Sequence, residues 1–360
     1  MRGALGQGGR LYHVPAMRLG PLRVKASSQG QLGLELESAP RPLPVLEEKT
    51  RGAVFRALPV RSVLNSPATT GMGFWSLNPY VGCEFGCSYC YARRTHEWTV
   101  ERASAAGAVS PRSTGVSAWQ AFEQEIFVKQ SAPDVLLRTL DPEKLAGAEL
   151  VIGTATDPYQ PAERRFLLTR RLLEALLLHR GLAIGLITKS PLVTRDLDVL
   201  GKLAAQHELS VNISLASMDA GLLRRLEARS PAPHARIRAL ERLTRAGIHA
   251  GLLIAPILPG ITDGWASLAA LLEAAKGAGA RYAVGAPLRL EPAARAGLLP
   301  VLRREFPDLV ERYERRYGGR VHAGKDYERA LQRRLRSLQT AFGFSTETGM
   351  GGRNRRVASG

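Results

Sequence analysis

The sequence predicts an α/β protein built from parallel βαβ units. Two observations predict it. From about 120 to 305, short β-branched runs alternate with amphipathic helical stretches, about six or seven times over. Polar residues also gather at the C-terminal ends of these runs, where open sheets and barrels meet their ligands. On pattern alone the units form an open or partial (β/α) barrel or a doubly wound sheet.

Each element has its reason. Residues 1 to about 50 are rich in Gly, Gln, Ser and Pro and hold no acidic residue before Glu35. They read as a basic extension with the composition of a disordered segment. Residues 51–73 are turn-rich, with Asn65-Ser66-Pro67 and Gly71-Met72-Gly73. A strand over 74–81 runs directly into a cluster of cysteines. Strands are then predicted over 125–129, 149–154, 183–188, 209–215, 249–254 and 281–284. The helices between and after them cover 133–140, 162–180, 195–206, 220–228, 234–247, 265–277 and 292–306. This gives a core domain over 51–306. A helical, Arg-rich segment over 307–345 follows, whose Leu331, Leu335, Leu338 and Phe342 share one face and so dock. Residues 346–360 are a flexible basic tail with Arg353, Arg355 and Arg356.

Composition bounds the function. With 45% hydrophobic and 23% charged residues, wholesale disorder is excluded. No run of about 18 apolar residues and no signal-peptide core is present, so no membrane span is predicted and the expected place is the cytoplasm. The 50 basic and 32 acidic residues leave a net charge of +18, and all but eight of the basic residues are arginine. Such a surface favours polyanions, nucleic acid first. A compositional preference for arginine explains the same number.

The cysteines are more specific. The chain has three, Cys83, Cys87 and Cys90, all within eight residues. An odd, clustered set without an export signal reads as metal ligands. The spacing C-x3-C-x2-C, loosened by Gly82 and Gly86, can wrap one compact centre. Three thiolates on a [4Fe–4S] cube leave one iron open to a non-protein ligand. A zinc site completed by His96, six residues after Cys90, is the competing reading. The strand before the loop, the long βαβ array after it and Tyr89 before the third cysteine favour iron.

The segment 78–93, Asn-Pro-Tyr-Val-Gly-Cys-Glu-Phe-Gly-Cys-Ser-Tyr-Cys-Tyr-Ala-Arg, resembles the radical S-adenosylmethionine (SAM) superfamily. The stretches 126–129, 153–163, 186–190, 211–217 and 246–261 are similar to its spore photoproduct lyase-like, DNA repair photolyase-related branch. The resemblance spans about 75–290. It implies a partial (β/α)6-type TIM barrel whose Cys83, Cys87 and Cys90 hold a [4Fe–4S] cluster. It further implies that the open iron chelates SAM, which is cleaved reductively to a 5′-deoxyadenosyl radical, with a reductant such as flavodoxin or ferredoxin as partner.

For the SAM contacts, the resemblance points to Tyr89 near the adenine and to Thr154, Thr156 and Asp157 in the loop 153–163. This loop lacks the usual Gly-Gly-Glu-like sequence. Lys189 suits the methionine carboxylate and Ser214 a ribose or carboxylate oxygen; Ser217 reads equally as a turn cap. His234 and Arg236 read as a solvated helix start. Nucleic acid is the expected substrate class, peptide modification its rival. A non-catalytic, zinc-stabilised nucleic-acid-binding protein is the alternative outside the family. In spore photoproduct lyase a cysteine outside the cluster motif returns a hydrogen atom to the repaired base. This chain has no fourth cysteine, and Tyr159 or Tyr282 could substitute only by breaking a stronger bond.

Overall fold

The computed structural model describes residues 43–48, 53–105 and 118–345. The segment before 43 and the tail from 346 lie outside them, and so do the expectations placed there. The described chain has strands β1 (Val45–Glu48), β2 (Val54–Ala57), β3 (Leu64–Asn65), β4 (Trp75–Leu77), β5 (Tyr80–Val81) and β6 (Glu125–Val128). These are followed by β7 (Glu149–Ile152), β8 (Ala183–Thr188), β9 (Glu208–Ser214), β10 (Ala250–Ile257) and β11 (Ala283–Pro287).

The main sheet runs β11-β10-β9-β8-β7-β4-β3. From β4 to β11 every neighbouring pair is parallel, and β3 is antiparallel at the edge. Six parallel strands in chain order, with two unjoined edges among the described residues, are the partial (β/α)6 barrel expected. β7, β8 and β10 carry nearly continuous apolar runs because helices cover one face and the barrel interior the other, whereas β9 alternates, with Ser210 and Asn212 between Leu209, Val211 and Ile213. Leu150, Ile152, Ile184, Leu186, Val211, Ile213, Leu252 and Ile254 are all buried.

The structure corrects the reading at several elements. The expected strand 74–81 is two strands in two sheets, β4 in the main sheet and β5 in a small sheet of order β1-β2-β6-β5. The chain changes sheets at Asn78-Pro79, and Pro79 has no N–H for a ladder. The strand at 125–129 also belongs to the small sheet, so it is not the second strand of the array. β1 lies inside the segment assigned to the extension and pairs with β2. The helix expected over 162–180 breaks into Glu163–Phe166 and Leu168–Leu176, at Leu167 with φ 49°. The C-terminal helix Lys325–Ala341 docks as expected. It buries Leu331, Leu335 and Leu338, and a Cβ on Gly285 of β11 would lie 2.8 Å from Leu335.

At the N-terminal end of the parallel strands, Glu149 opens β7. Its Oε1 is buried without a hydrogen-bond partner, and burial pushes its carboxyl up to about 7. A Cβ on Gly185 of the neighbouring strand would stand 2.5 Å from that oxygen, so a larger residue there would push the Glu149 side chain aside.

Candidate metal and cofactor site

The loop after β5 is held by groups from distant elements. Gly82 has φ 94°, and a Cβ there would lie 2.9 Å from the Phe122 carbonyl oxygen. That carbonyl accepts from the Cys83 N–H at 2.9 Å. The Gly82 carbonyl accepts from Thr156 Oγ1 at 2.6 Å and Gln160 Nε2 at 3.1 Å, while Gln160 Oε1 accepts from the Glu84 N–H. Ser88 donates through both its N–H and its hydroxyl to the Leu226 carbonyl. The buried guanidinium of Arg93 donates to the Cys87 carbonyl at 2.8 Å and lies over the Phe122 ring. A loop bound from so many sides is set before any ligand arrives.

All three cysteines line one cavity of about 290 Å³. Tyr89, Thr154, Thr156, Asp157, Lys189 and Ser214 line the same cavity. They come from the cysteine loop and from the C-terminal ends of β7, β8 and β9, as the parallel array requires. Gly153, at φ 96°, lets β7 turn there; a Cβ would meet the Ile187 carbonyl oxygen at 2.4 Å. Phe74, Phe122 and Leu253 add apolar wall, and Arg289 follows β11 at the rim.

The donor set fits an iron–sulfur cube. Among the described residues no three His, Cys, Asp or Glu side chains converge on a single-ion site. A cube is wider than an ion, and each thiolate meets a different iron. Burial pushes all three thiols up, and a metal centre bound there would favour their thiolate forms. The zinc reading relied on His96. That imidazole is buried between Phe122 and Phe127, with Nε2 bonded to the Glu125 carbonyl, and it does not line the cavity.

The sequence reading missed what anchors this cavity. Glu227 is buried and accepts from Lys189 Nζ at 2.9 Å, Ser230 Oγ at 2.5 Å, the Tyr89 hydroxyl and the Arg236 guanidinium. Burial opposes its charge, but Lys189 and Arg236 overcome that and hold its carboxyl below the usual range. Arg236 is not part of a solvated helix start. It is fully buried, donating also to the Ser214 and Pro231 carbonyls, whereas His234 is exposed. Of this group, Lys189, Tyr89 and Ser214 line the cavity, so it presents the Lys189 ammonium to the space while Glu227 and Arg236 hold it from behind. Lys189 also donates to Ser214 Oγ at 3.2 Å and to the Tyr89 hydroxyl at 3.3 Å. One sign of Glu227 was in the sequence: it is the sole acid between 220 and 240, among five arginines.

The other polar residues divide by their partners. Both oxygens of Asp157 are engaged, by Thr188 Oγ1, the Tyr159 N–H and the Lys189 N–H. The Thr156 hydroxyl is engaged by Gly82 and Gln160. These two shape the loop. Thr154 accepts from Asn78 Nδ2 at 3.1 Å and keeps its hydroxyl proton to give. Ser217 caps a turn, accepting from the Asp219 N–H. Tyr159 and Tyr282 are buried away from the cavity lining.

Comparison with known proteins agrees with this geometry. A model of the radical SAM superfamily matches residues 77–272. The chain belongs to the radical SAM superfamily. Members are enzymes that use a [4Fe–4S] cluster and SAM and draw an electron from an external reductant. An uncharacterized protein of Mycobacterium tuberculosis is 31% identical over 289 residues, 80% of each chain. An uncharacterized protein of Methanocaldococcus jannaschii is 28% identical over 52% of this chain and 61% of its own. Among solved structures, a spore photoproduct lyase mutant aligns over 80% of this chain and 79% of its own, with TM-score 0.57 and 15% identity. Another mutant, with bound AdoMet and dinucleoside spore photoproduct, aligns with TM-score 0.55 at 16% identity. At these identities the likeness is one of fold. Among the described residues no helix is long and apolar enough to cross a membrane.

Proposed function

We propose that Cys83, Cys87 and Cys90 hold the [4Fe–4S] cluster and that the cavity wall they share holds SAM. The carrying observation is that nine residues, drawn from separate sequence motifs, wall one cavity. When bound, the cluster and SAM supply a 5′-deoxyadenosyl radical that takes hydrogen from the substrate. The chain's own residues do the positioning. Lys189, steadied by Glu227, offers positive charge to the SAM carboxylate. Tyr89 and Ser214 fix the ammonium group from either side, and the Thr154 hydroxyl faces the ligand as a donor. Phe74, Phe122 and Leu253 keep water from the reacting end. The core over 51–306 carries this chemistry, and flavodoxin or ferredoxin serves as the reductant.

Nucleic acid is the substrate class we favour, on the +18 charge and on the fold shared with a lyase solved with a dinucleoside lesion. The reaction differs from that lyase's. All three thiols are committed to iron, so none is left to return a hydrogen atom, and SAM is consumed as a co-substrate. The test is anaerobic reconstitution followed by dithionite and SAM, with and without DNA, RNA or peptides. The reading expects brown protein that bleaches on reduction and 5′-deoxyadenosine formed one for one with product. Colourless protein holding one zinc would sink it. Clean repair of spore photoproduct with little deoxyadenosine would overturn the co-substrate assignment.

A further inference from the structure

A second cavity lies outside this chemistry. The helices Val310–Tyr317 and Lys325–Ala341 border an open cavity of about 510 Å³. Arg312, Arg315, Arg316, Arg320 and Lys325 line it against a single carboxylate, Asp326. The charge is not neutralised locally. Arg315 pairs with Glu311 and Asp326 with Arg329, but among the described residues Arg312 and Lys325 have no carboxylate partner. Arg316 lies over the Tyr327 ring at 4.4 Å, and its Nε has no hydrogen-bond partner. Arg320 is fixed by donating to the Tyr317 and Arg316 carbonyls. Crowded like charges raise the energy of the empty cavity, and an anion lowers it.

The side chains choose among anions. Guanidinium forks match phosphate oxygens in pairs. An aromatic surface adjoins the cations. Tyr327 donates to Asp263 at 3.0 Å, and Trp265, two residues on, is 53% exposed with Arg334 over its ring. Phosphates beside a base-stacking surface describe a nucleic-acid strand better than an acidic peptide. The cavity is also mechanically tied to the thiol site. Tyr313 and Tyr317 share a buried cluster with Cys83, Phe85 and Leu288, and the Tyr317 hydroxyl donates to the Leu288 carbonyl at 3.1 Å. Leu288 and Arg289 in turn line the thiol cavity.

We propose that this cavity grips the backbone phosphates of a single-stranded nucleic acid, as a docking site for the substrate strand apart from the radical chemistry. The proposal rests on nucleic acid as the substrate class. The test uses the full chain with its cluster, a short fluorescent oligonucleotide and a salt series. Arg312→Ala with Lys325→Ala should weaken binding roughly tenfold at low salt and reduce the log–log salt slope by about 1.4, at about 0.7 per single-strand phosphate. Both side chains are exposed, so folding and iron content should hold. Arg238→Ala with Arg242→Ala removes the same charge from another exposed face and should change binding little. Equal losses from the two pairs would overturn the proposal, and so would displacement by inorganic phosphate or polyglutamate at the oligonucleotide's own concentration. If binding shows the expected slope while no deoxyadenosine forms, the radical reading falls and this cavity stands. If deoxyadenosine forms and the slope does not move, the cavity alone falls.

Discussion

At the C-terminal ends of the parallel strands, the buried carboxylate of Glu227 faces two cations and two hydroxyls. At the N-terminal ends of the same sheet, Glu149 buries an oxygen that nothing bonds. Burial opposes the charge of both. Lys189 and Arg236 reverse the outcome at Glu227 and have no counterpart at Glu149. A buried acid is thus a structural anchor at one end and a liability at the other, and partners rather than burial decide which. The end that lines the cysteine cavity is the one whose polar groups are tied together.

Substitutions at seven positions probe the contrast. The largest effect is expected within the tied end itself. Cys83→Ala, Cys87→Ala or Cys90→Ala should each abolish bound cluster iron, measured after anaerobic reconstitution, because two thiolates hold a cube poorly. His96→Ala should retain the iron; iron lost there and kept in a cysteine variant would reassign the ligands. Next is Glu227→Ala, which leaves the Arg236 guanidinium buried without its carboxylate. A loss of about 3–5 kcal/mol is expected in urea unfolding. A loss below about 1 kcal/mol would mean that the anchor is dispensable.

Lys189→Ala should leave iron in place and weaken SAM about ten- to hundredfold in equilibrium dialysis, the worth of one charge-assisted bond. Unchanged affinity would put Lys189 outside the SAM site. The smallest effect belongs to the other end of the sheet. The folded Glu149 carboxyl titrates near 7, above its unfolded value, so the native state binds the extra proton. Stability should fall as pH rises from about 4.5 towards about 7. After discount for partial exposure the loss is on the order of 1–2 kcal/mol. Glu149→Gln should flatten that fall and stabilise the protein at pH near 8. Equal slopes in the two proteins would show the carboxylate to be solvated.

Sequence carried the parts of the site that are contiguous. The cysteine spacing, the loop 153–163 and Lys189 stand in short motifs, and the period of the βαβ units places them at one sheet edge. The Glu227 anchor showed only as a lone acid among arginines; its bond to Tyr89 joins residues 138 apart, and no local pattern encodes that pairing. Arg236 was hidden by its many solvated neighbours of the same type. The sheet switch at Asn78-Pro79 was hidden because Ser76–Leu77 and Tyr80–Val81 are buried on both sides of it and read as one strand.

The bond between Ser88 and the Leu226 carbonyl also spans 138 residues, and it sets an order in time. The cysteine loop leaves the ribosome long before the backbone that will brace it. At about 5–20 residues per second, roughly 7–28 s separate the two. During that interval the three thiols are held on a loop still open to oxidants and stray metal ions. A cluster proposed on these thiols would gain its full brace only once residue 226 has been made.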